Sequence, residues 1–368
     1  MKTCEVVRYT LENPGDVSAL KAAIDSGSVA PESIRAVIGK MEGNGGVNDF
    51  TRAFFTQSLF YMLADYLPGS VDVLKARIPC VLSGGTEGVL SPHYTIFCVS
   101  EAEDVSNLES VLALGSAMSR VLEPDEIGLM AHVAVCRDAV LAAMADADLS
   151  AEEVSFVQVK CPAISAVRAQ ALIDEGKSAC ASNSGQIMAL SRVAGAWGVG
   201  VALGELSMDQ LSDDAMLKDF SLLSSRASIS SGLEIDRCEV VVLGNSNSWG
   251  GNLQIAASPM TDALDLSGPF KALEKLGIDA APPLSQEDAQ RIRSVLVKCE
   301  PARSGKIRGN RHTMLDDTDI DPQRHIRGAV GGMVASVVGD GRIFVSGGAE
   351  HQGPDEGGIV AVIAEVAG

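Results

Sequence analysis

The chain has 368 residues, 46% of them hydrophobic but only 4% aromatic, and 37 are glycine; this is the composition of two or three Ala/Val/Gly-rich α/β domains. Its 29 basic and 48 acidic residues give a net charge of −19, which argues against nucleic acid or an anionic membrane as partner and leaves a small molecule. Eight scattered cysteines without a CxxC pair, no signal-peptide pattern and no apolar run near the roughly 18 residues of a membrane helix lead to the expectation of a cytoplasmic protein with reduced thiols.

In chain order, a first unit is predicted over 1–103. A strand-like Cys4 to Tyr9 leads to a helix start at Asp16 and then to an apolar run, Ile34 to Gly39, that ends in Lys40. The glycine-rich loop 42–49 follows, with Asn48 or Asp49 placed to cap a helix whose apolar positions recur at helical spacing and whose first turn holds Arg52. A third strand, Ile78 to Leu82, ends at the turn Ser83-Gly84-Gly85-Thr86-Glu87, and Tyr94 to Val99 closes the unit.

A second unit, 107–245, repeats this order. Helical stretches are expected at 109–121 and 138–146 around a strand-like Leu129 to Val135. A lysine strand ends at Lys160, a helix is expected over 163–175, another carries Arg192, and the turn Ser230-Ser231-Gly232-Leu233-Glu234 precedes a closing strand at Cys238 to Leu243. A third unit, 252–368, has Lys298, a helix from Arg324 to Val338, the turn Ser346-Gly347-Gly348-Ala349-Glu350 and a closing strand from Ile359. The lysine-to-serine spacings of 43, 70 and 48 differ while the order holds, so the loops vary around an internal repeat. Arg327 is preferred to Arg324 as the third arginine, because it and Arg192 each lie 12 residues before a Gly-acid pair.

Each unit thus supplies one lysine, one arginine and one serine followed by a small residue. A lysine closing a buried strand needs a partner or loses its proton, and a neutral amine can then activate a serine. The small residue lets a backbone N–H approach a ligand, and arginine offers forked donors to carbonyl oxygens. Repeated three times, this set suits a small planar ring of alternating carbonyl and N–H groups. On residues alone a Ser-Lys amidase stands beside an undefined α/β enzyme, and any single lysine beside a snorkelling surface residue.

Other patterns carry less. Cys161 and Cys299 alternate to the face opposite the adjacent lysine and read as core. His93, His132, His312, His325 and His351 share no metal spacing. Asp317, Asp319 and Asp321 start like a calcium loop, but Pro322 and Gly328 stand where glycine and glutamate are needed, so a solvated loop is expected. Gly198, Gly200 and Gly204 miss dinucleotide spacing inside a helix-like run.

At Gly39-Lys40-Met41-Glu42-Gly43-Asn44-Gly45, at Asn48-Asp49-Phe50-Thr51-Arg52, and at the Ser83 and Ser346 turns, the chain resembles the cyanuric acid hydrolase and barbiturase family over essentially its whole length. The resemblance implies three similar α/β units around a pseudo-threefold axis, a homotetramer, and ring-opening hydrolysis of a cyclic imide: cyanuric acid to carboxybiuret and then biuret, or barbiturate to ureidomalonate. By position it implies Ser230 as nucleophile, Lys160 as general base and backbone N–H donors at Ser230 and Ser231. It further implies a substrate clamp of Arg52, Arg192 and Arg327 with Ser83, Gly84, Ser346 and Gly347, and Lys40 and Lys298 in the equivalent lysine positions. No catalytic cofactor is implied; a structural Mg2+ or Ca2+ is, held by Glu300 and the backbone carbonyls of Ala349, Gln352, Gly353, Pro354 and Gly357. Gly46 departs from the pattern, where cysteine is frequent. A non-catalytic binding protein that keeps the clamp is the alternative of another class.

Overall fold

The three lysine-ended runs are buried on both faces, as strands covered from two sides must be. The computed structural model describes residues 1–101, 109–281, 284–314 and 321–366. In the first unit β1 (Lys2–Thr10), α1 (Ser18–Asp25), β2 (Ile34–Glu42), α2 (Thr51–Leu63), α3 (Val71–Lys75), β3 (Cys80–Gly85) and β4 (His93–Glu101) follow one another. Their strands form a sheet of order β3-β2-β4-β1, with β2 parallel to β3 and antiparallel to β4.

The second unit has β5 (Val111–Val121), α4 (Met130–Ala147), β6 (Val154–Pro162), α5 (Ala166–Asp174), α6 (Ser184–Ala202), β7 (Ala227–Gly232) and β8 (Arg237–Ser246). Its sheet order, β7-β6-β8-β5, is that of the first. The short β9 (Trp249–Gly250) adds to the first sheet beside β1. The third unit comprises β10 (Leu253–Met260), α7 (Ser267–Lys275), α8 (Gln286–Arg291), β11 (Ile292–Cys299), the hairpin β12 (Lys306–Ile307) and β13 (Asn310–Arg311), α9 (Pro322–Val338), β14 (Phe344–Ser346) and β15 (Gly358–Glu365). Its main sheet, β14-β11-β15-β10, gives the same order a third time. One apolar cluster joins Val6, Ile38 and Phe97 of the first sheet to Val157 and Ile229 of the second and Phe344 and Ile363 of the third, so the sheets share a core. Separate clusters pack α2 on the first sheet and α7 and α9 on the third.

Two expectations are corrected. Residues 111–121 form β5, not a helix, because the segment pairs along its length with β8, and pairing overrides the helix preference of its Leu, Ala and Met residues. Leu129 to Val135 is not a strand: Leu129 precedes α4, whose buried Val133, Cys136, Val140, Ala143 and Ala147 recur at helical period. The small-large alternation at its start imitates a strand. Gly115 marks where the two meet, since a Cβ there would lie 1.8 Å from the Ala143 carbonyl oxygen.

Asp49, rather than Asn48, accepts the Thr51 N–H at the start of α2. Asp317 and Asp319 lie outside the described residues; Asp321 accepts the Arg324 N–H and caps α9, with Pro322 at the first helical position. Gly198 and Gly200 are inside α6. All eight cysteines are free thiols. Among the described residues no helix is long and apolar enough to cross a membrane.

Candidate active site

Parallel pairing brings each lysine beside its serine: Lys40 opposite Ser83, Lys160 opposite Ser230 and Lys298 opposite Ser346. Each ammonium then reaches into another unit. Lys160 Nζ donates to the Leu82 carbonyl at 3.1 Å, Lys298 Nζ to that of Ile229, and Lys40 Nζ to that of Val345 at 3.1 Å. Every acceptor is the residue before a serine, so the three contacts form a closed cycle.

A second cycle runs through carboxylates that sequence reading left without a role. Glu87, Glu234 and Glu350 each lie four residues after a serine of the repeat. Arg52 Nε meets Glu234 at 2.7 Å, Arg192 Nη2 meets Glu350 at 2.6 Å, and Arg327 Nε meets Glu87. Each pair joins two different units. Glu234 also holds Lys160 at 2.8 Å, and Glu87 holds Lys40 at 3.0 Å. This equivalence selects Arg327 over Arg324 as the third arginine; Arg324 is exposed at the cavity rim. The signal that could have found the glutamates was the Ser-x-x-x-Glu spacing itself.

Burial opposes charge on all of these groups, and the pairing decides who keeps it. Burial would raise Glu234, but Lys160 and Arg52 bring it down to about 2. Glu87 and Glu350 are likewise lowered, against burial, by Lys40 with Arg327 and by Arg192. Burial pushes the amines the other way: Lys40 falls to about 8, and Lys160 and Lys298 fall below the usual amine range, each helped by a neighbouring arginine.

Arg52, Arg192 and Arg327 converge on a cavity of about 290 Å³ that also exposes Ser83, Gly84, Lys160, Ser230, Ser231, Ser346 and Gly347. Lys40 and Lys298 are not in its lining; they lie beneath it, and Lys298 Nζ bonds Ser346 Oγ at 3.1 Å and the Gly347 carbonyl at 2.7 Å. Gly348 adopts φ 70°, and a Cβ there would lie 2.4 Å from Arg192 Nε, so the turn needs glycine. Gln323 Oε1 accepts the Gly348 N–H at 2.6 Å. The three serines differ. Ser83 Oγ donates to the Val345 carbonyl at 2.9 Å and Ser346 Oγ is held by Lys298, but buried Ser230 Oγ has no hydrogen-bond partner. Arg327 Nη2, also buried, has none either.

Glu300 is buried beside the 349–357 loop: its Oε1 accepts from Arg303 Nη1 at 2.6 Å and from the Glu356 N–H at 3.2 Å. Positive φ at His351, Gly353 and Glu356 folds the loop back on itself. Ala349, Pro354 and Gly357 each use a carbonyl lone pair within the fold and keep a second. One carboxylate with carbonyl oxygens fits a hard divalent cation, and burial with the Glu350 charge raises Glu300, so Arg303 leaves charge uncompensated. Gln352 contributes a side-chain contact that sequence reading did not foresee: its Oε1 accepts the Ile229 N–H at 2.6 Å, tying this loop to the strand of Ser230.

His132, Cys161 and Cys238 also cluster, fully buried. His132 Nδ1 accepts the Gly128 N–H at 3.2 Å, so in the neutral ring Nε2 carries the proton and faces Cys238 Sγ at 3.3 Å. That nitrogen has no lone pair for a metal, and the cluster is core.

Buried lysines in register with serines, beneath a ring of arginines, are the equipment of an amide hydrolase. The chain matches the amidohydrolase ring-opening protein family over residues 5–365 and belongs to it. It is 47% identical over 365 residues to the cyanuric acid amidohydrolase of Ectopseudomonas oleovorans, covering 99% of both chains. Barbiturase 1 of a Nocardioides species is 40% identical over 369 residues, covering 98% of both. The crystal structure of a cyanuric acid hydrolase from A. caulinodans superposes with a TM-score of 0.92 at 45% identity, both chains covered in full. A second cyanuric acid hydrolase structure, described as an evolutionary innovation by structural concatenation, gives 0.94 at 41%.

Proposed function

We propose that this enzyme hydrolyses cyanuric acid, with Ser230 as nucleophile and Lys160 as general base. The observation that carries the reading is the free Ser230 hydroxyl, alone among the three equivalent serines in having no partner. The neutral Lys160 amine takes the Ser230 proton while Oγ bonds to a ring carbonyl carbon, and backbone N–H groups at Ser230 and Ser231 receive the oxyanion. The C–N bond breaks, and the departing nitrogen takes the proton from Lys160. Water then attacks the acyl-serine, releasing carboxybiuret, which loses carbon dioxide to give biuret. The other two serine turns, with three arginines, hold the two carbonyls that do not react. The structural cation, held by Glu300 and the 349–357 carbonyls, would fix the loop that Gln352 joins to β7.

The relationship to barbiturase 1 keeps barbiturate as the second substrate. A ring CH2 in place of N–H leaves a polar group of the site unpaired, which discriminates by about 1–3 kcal/mol. The test is loss of substrate absorbance in parallel with cyanuric and barbituric acids, with Ser230→Ala as blank. Turnover of cyanuric acid, reduced roughly 10³-fold or more in Ser230→Ala, is expected. Turnover of barbiturate alone moves the substrate; full activity in Ser230→Ala moves the nucleophile; tight binding without turnover makes the chain a binding protein.

A further inference from the structure

The three lysines are equivalent by topology but differ in what stands opposite them on the closing strand. His93 faces Lys40, Ile359 faces Lys298, and Glu239 faces Lys160. Directly opposite residues of an antiparallel pair project from the same face of the sheet. Only Lys160 therefore has a carboxylate behind it. We propose that Glu239 is a positioning residue that sets the proton affinity of Lys160. This rests on the assignment of Lys160 as general base.

Glu239 is buried, and its Oε2 accepts the Cys80 N–H of the first unit at 2.8 Å. It lines a second cavity, of about 480 Å³, which lies between the first two units and is shared with Glu234. Leu82 lines this cavity and the active-site cavity alike, and its carbonyl holds Lys160. Glu239 thus reaches the base from behind, apart from the substrate. The charged groups around it are Lys160, Glu234 and Arg237, with Asp72 and Lys75 of α3 across the cavity and the Cys80 thiol beside it. Glu234 cannot serve as a reservoir, because its two cations hold it ionised. Burial, helped by Glu234, pushes Glu239 up to about 8, and the charge it gains as pH rises towards that value holds the proton on Lys160 more tightly. His93 offers no such control: burial keeps it neutral down to about 4.

The experiment is the pH dependence of kcat/KM for cyanuric acid in Glu239→Gln. The amide oxygen still accepts the Cys80 N–H, while the charge that raises Lys160 is gone. The acid limb, below which Lys160 is protonated, is expected to move about one unit to lower pH. Glu239→Asp, which keeps the charge, returns the limb towards the wild-type position; a merely structural role moves neither. If the glutamine chain does not fold, Glu239→Met gives the same reading. An unmoved limb in the folded variant overturns the proposal. Lys160→Met separates the two failures: wild-type turnover there removes Lys160 as base, whereas an inactive Lys160→Met with an unmoved limb in Glu239→Gln removes only Glu239.

Discussion

Glu234 holds two cations from two units, Arg52 at 2.7 Å and Lys160 at 2.8 Å, in a site where neither cation has ready access to water. Replacing one member of such a set strands the others. Glu234→Gln is expected to lower the unfolding free energy by about 2–4 kcal/mol in urea titration, because Lys160 loses its carboxylate and Arg52 keeps only the longer contact to Asp49 at 3.4 Å. A loss under about 1 kcal/mol would show that the contact is replaceable by solvent. The lysines, arginines and serines were legible because each recurs at a landmark: a strand end, a helix, a small-residue turn. The glutamates recur as regularly, four residues after each serine, yet glutamate in a chain of net charge −19 reads as surface until folding places it between a lysine and an arginine. The asymmetry at Ser230 was not legible at all, since a hydroxyl without a partner is a property of three dimensions.

At the scale of elements, the repeated succession of lysine strand, arginine helix, serine turn and closing strand was readable, as was the helix at 138–146, but β5 and the start of α4 were not. β5 carries helix-favouring Leu, Ala and Met residues and the first turns of α4 alternate small and large residues like a strand, so only pairing with β8 and a shared buried face assign them. Their contact is testable. Gly115→Ala places a methyl against the Ala143 carbonyl and should destabilise by about 1–3 kcal/mol in urea titration, whereas a neutral effect would mean that α4 can shift outwards. The 349–357 loop gives a second test. Chelator-treated protein is expected to melt at lower temperature and to regain its Tm with Mg2+ or Ca2+, as a ligand binding only the folded state requires. Glu300→Ala should abolish the response to added ion. A Tm indifferent to chelator and ion in the unaltered chain would leave Glu300 paired with Arg303 alone.

For the whole molecule, the ion pairs Arg52–Glu234, Arg192–Glu350 and Arg327–Glu87 each cross from one unit to another, and the apolar cluster spans all three sheets. The units are therefore expected to unfold together as long as the glutamates stay ionised. Glu234 is depressed from its ordinary value near 4.5 to about 2, and Glu87 and Glu350 are depressed as well, so the unfolded chain binds more protons than the folded one in acid. Their stabilisation is fully present above about pH 4.5 and is lost as pH falls towards 2. Glu239 works with the opposite sign: raised to about 8, it stabilises fully below its unfolded value and loses that contribution as pH rises through 8. Buried His93 and His132, lowered to about 4, add to the acid loss below about pH 6.5, so urea midpoints are expected to fall steeply in acid and to decline gently only between about pH 7 and 8. Trp197 and Trp249 report the second unit and the segment after it, while far-ultraviolet dichroism reports the whole chain. The two signals should give coincident transitions at pH 6 and separate as pH falls towards 2, where protonation cuts the links between units. Separate transitions already at pH 6 would show that neither the ion pairs nor the common core makes the three units one cooperative body.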